Sequence, residues 1–177
     1  VLAPVLVPHD PYEANMLKAL QMPNNEYFLG TDKLGRDIFS RIIYGMQISL
    51  FMTICIVILT ATIGSIIGII AGYFGGKIEL ILMRLADIML SFPGIILAIA
   101  IAGIMGGSII NTILALVVVS WAKYARLVRS LVIKLKNNDF IIASKTSGAT
   151  TFTIIYHHLL PNILPLIVIT GAMDIGT

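Results

Sequence analysis

The chain has 177 residues, 58% hydrophobic and only 12% charged, with a formal net charge of +3. A water-soluble domain carries charge on about a quarter of its residues, so this composition excludes an ordinary soluble globule. The small basic excess does not describe a nucleic-acid-binding surface, and its meaning lies in how it is divided among the loops.

Residues 1–7 form an apolar run that reads as the end of a preceding span. Residues 8–41 are polar, with Pro8, Pro11 and Pro23 among mixed charges, and belong outside the hydrocarbon. No basic region precedes a short apolar core, so no signal peptide is read here. The reading thus divides the chain into 1–45, the end of a span plus an extracytoplasmic polar segment, and 46–177, a membrane domain.

No Asp, Glu, Lys or Arg occurs from Ile42 to Gly76, nor from Ile88 to Ala122. Each run exceeds the roughly 20 apolar residues that a bilayer-crossing helix needs. The first span is predicted at about 47–72. Gly64, Gly68 and Gly72 recur at every fourth position and share one helix face, where a second helix can approach closely. Cys55, the single cysteine, has no partner in the chain and reads as a small packing residue.

Gly75-Gly76 ends this span, and residues 77–87 read as a short amphipathic linker. The second charge-free run is split by the Gly103–Ser108 cluster into predicted spans at about 88–105 and 109–128, a single kinked helix being the alternative. A basic, glycine-containing loop follows at about 129–158, and a last span at about 159–177 that is expected to continue beyond Thr177. The fold class is therefore an all-α integral membrane protein, here a fragment with about four spans.

Between Lys123 and His158 six basic residues face one acid, Asp139. By the positive-inside rule this stretch is cytoplasmic, and counting crossings puts residues 77–87 inside and the polar amino-terminal stretch outside.

No catalytic constellation is present. A glycine-rich phosphate loop ending in Lys and Ser or Thr is missing, so the chain has no usual means of holding a nucleotide. His157 and His158 are adjacent rather than one helical turn apart, and His9 is remote from both, which gives no metal site. The lack of acids in the spans also argues against a pathway that coordinates a bare cation.

Two polar stretches carry the most information. Asp139-Phe140-Ile141-Ile142-Ala143-Ser144-Lys145-Thr146-Ser147-Gly148 is a short helix-capable run ending at a glycine, followed by Leu160-Pro161. This resembles the cytoplasmic EAA loop of ATP-binding-cassette importer permeases. Ile142-Ala143-Ser144 stands at the family's triplet, Gly148 at its glycine and Leu160-Pro161 at its Leu-Pro. Ile142 replaces the acidic residue usual there. Gly30-Thr31-Asp32-Lys33-Leu34-Gly35-Arg36-Asp37, then Ser40-Arg41, resembles the opening of the core of dipeptide, oligopeptide and nickel permeases, in particular the second permease of each pair.

The resemblance covers nearly the whole chain. It implies a type I ABC importer transmembrane domain in the cell inner membrane, working as a transport subunit rather than an enzyme. Asp139, Ile142, Ala143, Ser144, Lys145, Gly148, Leu160 and Pro161 would couple it to the ATPase. The chain itself would bind no cofactor and no metal. ATP and Mg would be used by cytosolic ATP-binding subunits, beside a second permease and an extracytoplasmic solute-binding protein, with peptides or nickel carried. The alternative is a secondary transporter or channel subunit, and a membrane scaffold is a third class. Such transporters usually hold an ionisable residue within the membrane, and both long runs lack one.

Overall fold

The computed structural model describes residues 7–176. The apolar run at 1–6, expected to end a preceding span, and Thr177 lie outside the described residues. The chain divides into two compact units, Val1–Thr53 and Ile54–Thr177.

In the first unit the polar segment folds around short local bonds. A single 3-10 turn, Met16–Lys18, is capped by the Asn15 side chain. An isolated antiparallel bridge joins Thr31 to Asp37. Helix α1, Ile38–Phe74, begins in this unit and continues into the second. It starts nine residues before the predicted span because Asp37 caps it: the carboxylate accepts the Phe39 and Ser40 amides, each at 3.2 Å.

The second unit contains the rest of α1 and five more helices. These are α2 (Gly76–Ser91), α3 (Gly94–Met105), α4 (Ile109–Lys136), α5 (Asp139–Thr146) and α6 (Thr151–Ile175). Residues 77–87, expected to be a linker, lie inside α2. The predicted span at 88–105 is broken, since α2 and α3 meet at an angle of 91°. The break falls at Phe92-Pro93. Phe92 is extended (φ −93°, ψ 146°), as the proline ring requires of the residue before it.

By length and apolarity two helices, Ile38–Phe74 and Thr151–Ile175, can cross a membrane, or three if the bent pair is one span. The predicted 109–128 span is the first part of α4, a helix that continues to Lys136. Lys123, assigned above to the cytoplasmic stretch, is therefore mid-helix, about 20 Å before the end of α4 at 1.5 Å per residue. The loop assigned to 129–158 shrinks accordingly, because α6 begins at Thr151 under a Thr150 cap.

The glycine stripe sets the packing of α1 on α4. A Cβ built on Gly64 would lie 2.5 Å from the Trp121 carbonyl oxygen, and one on Gly68 would lie 2.6 Å from that of Ala125. On Gly72 it would meet the Val132 Cβ at 2.8 Å. Each step of four along α1 thus advances about four along α4, so the two helices run parallel. Parallel neighbours need a return path, and the bent α2–α3 pair supplies it. α6 runs back along α4, with Gly171 near Tyr124 and Ile163 in one cluster with Val128 and Val132.

Candidate functional site

The segment 137–163 brings the predicted coupling residues together at the end of α4. Helix α5 opens after Asn138, with Asp139 in its first turn where a negative charge favours the helix dipole, and Lys145 in its last. Gly148 has φ +87°. The Gly148 amide donates to Lys145 O and the Ala149 amide to Ser144 O, both at 3.1 Å. This is a Schellman ending, which needs a left-handed residue at Gly148.

One face of α5 is anchored. Ile141, 3% exposed, shares a core with Ile69 of α1, Val128 and Val132 of α4, and Ile154, Leu159 and Ile163 of α6. Burying an isoleucine of this kind contributes about 1.5–3 kcal/mol. Ser144 Oγ lies 3.1 Å from His158 Nε2, a second tie between α5 and α6. The other face is open. Asp139, Ala143 and Thr146 are exposed there, with Phe140 (45% exposed, its ring against His158) on one flank and Ile142 (50%) on the other.

Leu160 and Pro161 open the α-helical part of α6, Leu160–Ile175. The turn before them, Ile154–Leu159, is π-helical, and the Leu160 amide donates to Ile155 O, five residues back. Pro161 has no amide to offer His157 O, and the widened turn absorbs the mismatch. The Asn162 side chain donates to His158 O at 2.7 Å.

The opening motif is a separate construction in the first unit. Asp32 Oδ1 accepts the Leu34 and Arg36 amides at 2.8 and 3.0 Å, while Oδ2 accepts Arg36 Nε at 2.8 Å. Arg41 approaches the same carboxylate at 3.8 Å. The hydrogen bond from Arg36, with the two amides, pushes the Asp32 carboxyl down to about 2. Gly30 and Gly35 both have φ +73°, and a Cβ on Gly35 would strike Asn15 O. Thr31 Oγ1 donates to Lys18 O and accepts from the Gln21 amide, which fastens the preceding loop to the motif. Asp37 and Ser40 are buried at 2% and 0% exposed, with Ser40 Oγ donating to Asp37 at 2.5 Å. His9, which the sequence left as a loop residue, sits against them: its amide donates to Ser40 Oγ at 3.2 Å. Its Nδ1 is 3.5 Å from Asp37 Oδ2, without hydrogen-bond geometry.

Other polar residues in the second unit escaped the sequence reading. Arg129 pairs with Glu79 and Arg126 with Asp87, linking α4 to α2. Lys123 Nζ and Tyr124 OH both donate to Asp174 of α6, at 2.5 and 2.8 Å. Asp174 therefore corrects the expectation that the spans lack acids. Its place in an apolar helix was the available signal. Among the described residues no three His, Cys, Asp or Glu are grouped to hold a metal ion.

Residues 64–177 match the family described as binding-protein-dependent transport system inner membrane component. The chain belongs to this family. It is thus a multi-pass inner-membrane component with the type I ABC importer membrane fold, present as a fragment. It is 42% identical over its whole length to the dipeptide transport system permease protein DppC of Alkalihalophilus pseudofirmus, covering 58% of that protein. To DppC of Haemophilus influenzae it is 41% identical, with 99% of the chain and 62% of the relative aligned. To the nickel transport system permease protein NikC of Escherichia coli K12 it is 38% identical, with 96% of the chain and 61% of the relative aligned. The chain spans about three fifths of the length of these curated relatives.

Proposed function

We propose that the chain is part of a permease subunit of an ATP-driven, binding-protein-dependent importer, with α5 as its lever on a separate ATPase. The observation that carries this reading is the shared core of Ile141 with α1, α4 and α6. A displacement of α5 then has to move three long helices, because a close-packed core transmits strain rather than absorbing it. The side of α5 opposite Ile141 offers the ATPase Asp139, Ala143 and Thr146, with Phe140 and Ile142 on its two flanks. Nucleotide and Mg belong to the ATPase, and the chain supplies neither chemistry nor a cofactor site. The assembled importer has a second permease, two cytosolic ATP-binding subunits and an external solute-binding protein, with 137–150 on the cytoplasmic side and the polar stretch 8–41 outside. The relatives' names point to peptides or nickel as solute.

Co-purification of the full-length subunit with its ATPase tests this directly. Phe140→Ser with Ile142→Ser, both exposed, should leave folding intact and abolish association and solute uptake. Association and uptake at the unsubstituted level would remove α5 from the coupling role. A second reading, an ion-coupled transporter, is favoured by Asp174 alone. Uptake that persists with a hydrolysis-deficient ATPase and collapses with the ion gradient would establish it.

A further inference from the structure

We propose that the face of α4 carrying Thr112, Ser120 and Lys123, together with Asp174 of α6, lines the aqueous pathway, and that the Lys123–Asp174 pair meets the charged groups of the passing solute. This rests on the permease reading and adds to it the residues that touch the solute. Two independent observations lead there.

The first is the distribution of polarity around α4. At about 100° per residue, Thr112, Ser120, Lys123 and Ser130 fall within a stripe roughly 80° wide, which they share with Ile109, Leu116 and Leu127. Ile110, Leu114 and Val118, exposed at 69%, 42% and 46%, lie on the opposite side. That side continues through Trp121, Ala125, Val128 and Val132, which pack on α1, so the polar stripe points away from the α1–α4 seam.

The second is the pair itself. The Lys123 side chain is 57% exposed and that of Asp174 24%. Lys123 follows a charge-free run of 35 residues, Ile88–Ala122, and Asp174 lies fifteen residues beyond Leu159 in an apolar helix. An ammonium that open cannot face hydrocarbon, so it faces water or a polar partner. Tyr124, 1% exposed, donates to the other carboxylate oxygen and holds Asp174 toward Lys123. The pair presents one positive and one negative group side by side. That suits a solute carrying both an ammonium and a carboxylate, each of which replaces one member of the pair. It suits a bare divalent cation poorly, since Lys123 repels it and Asp174 is the only carboxylate there among the described residues.

The test uses the full-length subunit, assembled with its partner subunits in membrane vesicles, with Cys55 and any other cysteine of that subunit replaced by Ser. Single cysteines at Thr112, Ser120 and Lys123, and at Leu114 and Val118, are treated with a membrane-impermeant thiosulfonate. The first three should label and the last two should not; equal labelling of all five, or the reverse order, overturns the pathway assignment. Uptake of alanyl-alanine then reads the solute contact. Lys123→Gln should raise its KM roughly tenfold, the loss expected for a charge-assisted hydrogen bond, with the maximal rate little changed. A fall in the maximal rate with KM unchanged makes the pair a latch between helices and overturns the contact. Failure of the unsubstituted complex to hold its ATPase strikes the permease reading instead, and the labelling order still judges the stripe.

Discussion

At the scale of single residues, two aspartates organise the polar segment by different means. Asp37 works through geometry: it caps α1 and takes the Ser40 hydroxyl while fully buried. Asp37→Ala removes the cap and should cost about 1–2 kcal/mol, with faster amide exchange at Phe39 and Ser40 as the local readout. Asp32 works through charge. Its carboxyl, held down to about 2 by Arg36, lies below its ordinary value of 3.8. A depressed folded value means that the ionised form contributes stability above the ordinary value, and that this contribution is lost as pH falls from about 4 toward 2. Amide exchange at Leu34 and Arg36 should therefore accelerate through that window, and Asp32→Asn should be fast at every pH. Gly148 is the third such residue. At φ +87°, Gly148→Ala should cost about 1–2 kcal/mol, read as a lower melting temperature of the full-length subunit with α5 shortened at its end.

At the scale of elements, the contact between α1 and α4 depends on missing side chains. Atoms added at Gly64 and Gly68 would meet backbone carbonyls, which cannot rotate aside. Gly68→Leu should force the helices apart and destabilise the subunit by about 1–3 kcal/mol or more, whereas Gly103→Leu, with open space around it, should not. Thermal unfolding in detergent compares the two. The every-fourth-residue spacing made this face legible in the sequence, while its partner and the parallel direction were not. Other elements were misjudged for a local reason. The charge-free run from Ile88 has no hydropathy boundary at Pro93, so apolarity alone joined what the proline separates. The π turn at Ile154–Leu159 left no pattern at all, because a one-residue widening does not change which residues are apolar.

At the scale of the whole molecule, the proposed coupling makes Ile141 the residue that decides whether α5 is a lever or a tether. Ile141→Ala should destabilise the subunit by about 2–5 kcal/mol, the usual cost of emptying a buried site. Its diagnostic effect is on coupling: α5 keeps its exposed face, so the ATPase should still bind while its hydrolysis no longer drives uptake. Ile142→Ala, half exposed, should leave stability within about 0.5 kcal/mol. The two together separate transmission from docking.

The charge-free runs, the glycine spacing and the Asp139–Gly148 motif were enough to place the chain in a membrane, mark a packing face and locate α5. Each depends on neighbours a few residues apart, and helix periodicity, chain reversal and hydropathy act at that range. The bend at Pro93, the return path of α2 and α3, the core around Ile141 and the meeting of Lys123 with Asp174 emerged only from the three-dimensional arrangement. Lys123 and Asp174 are 51 residues apart. In the sequence one was a loop cation and the other went unnoticed, because a charge within a membrane domain acquires meaning only from the atom that neutralises it.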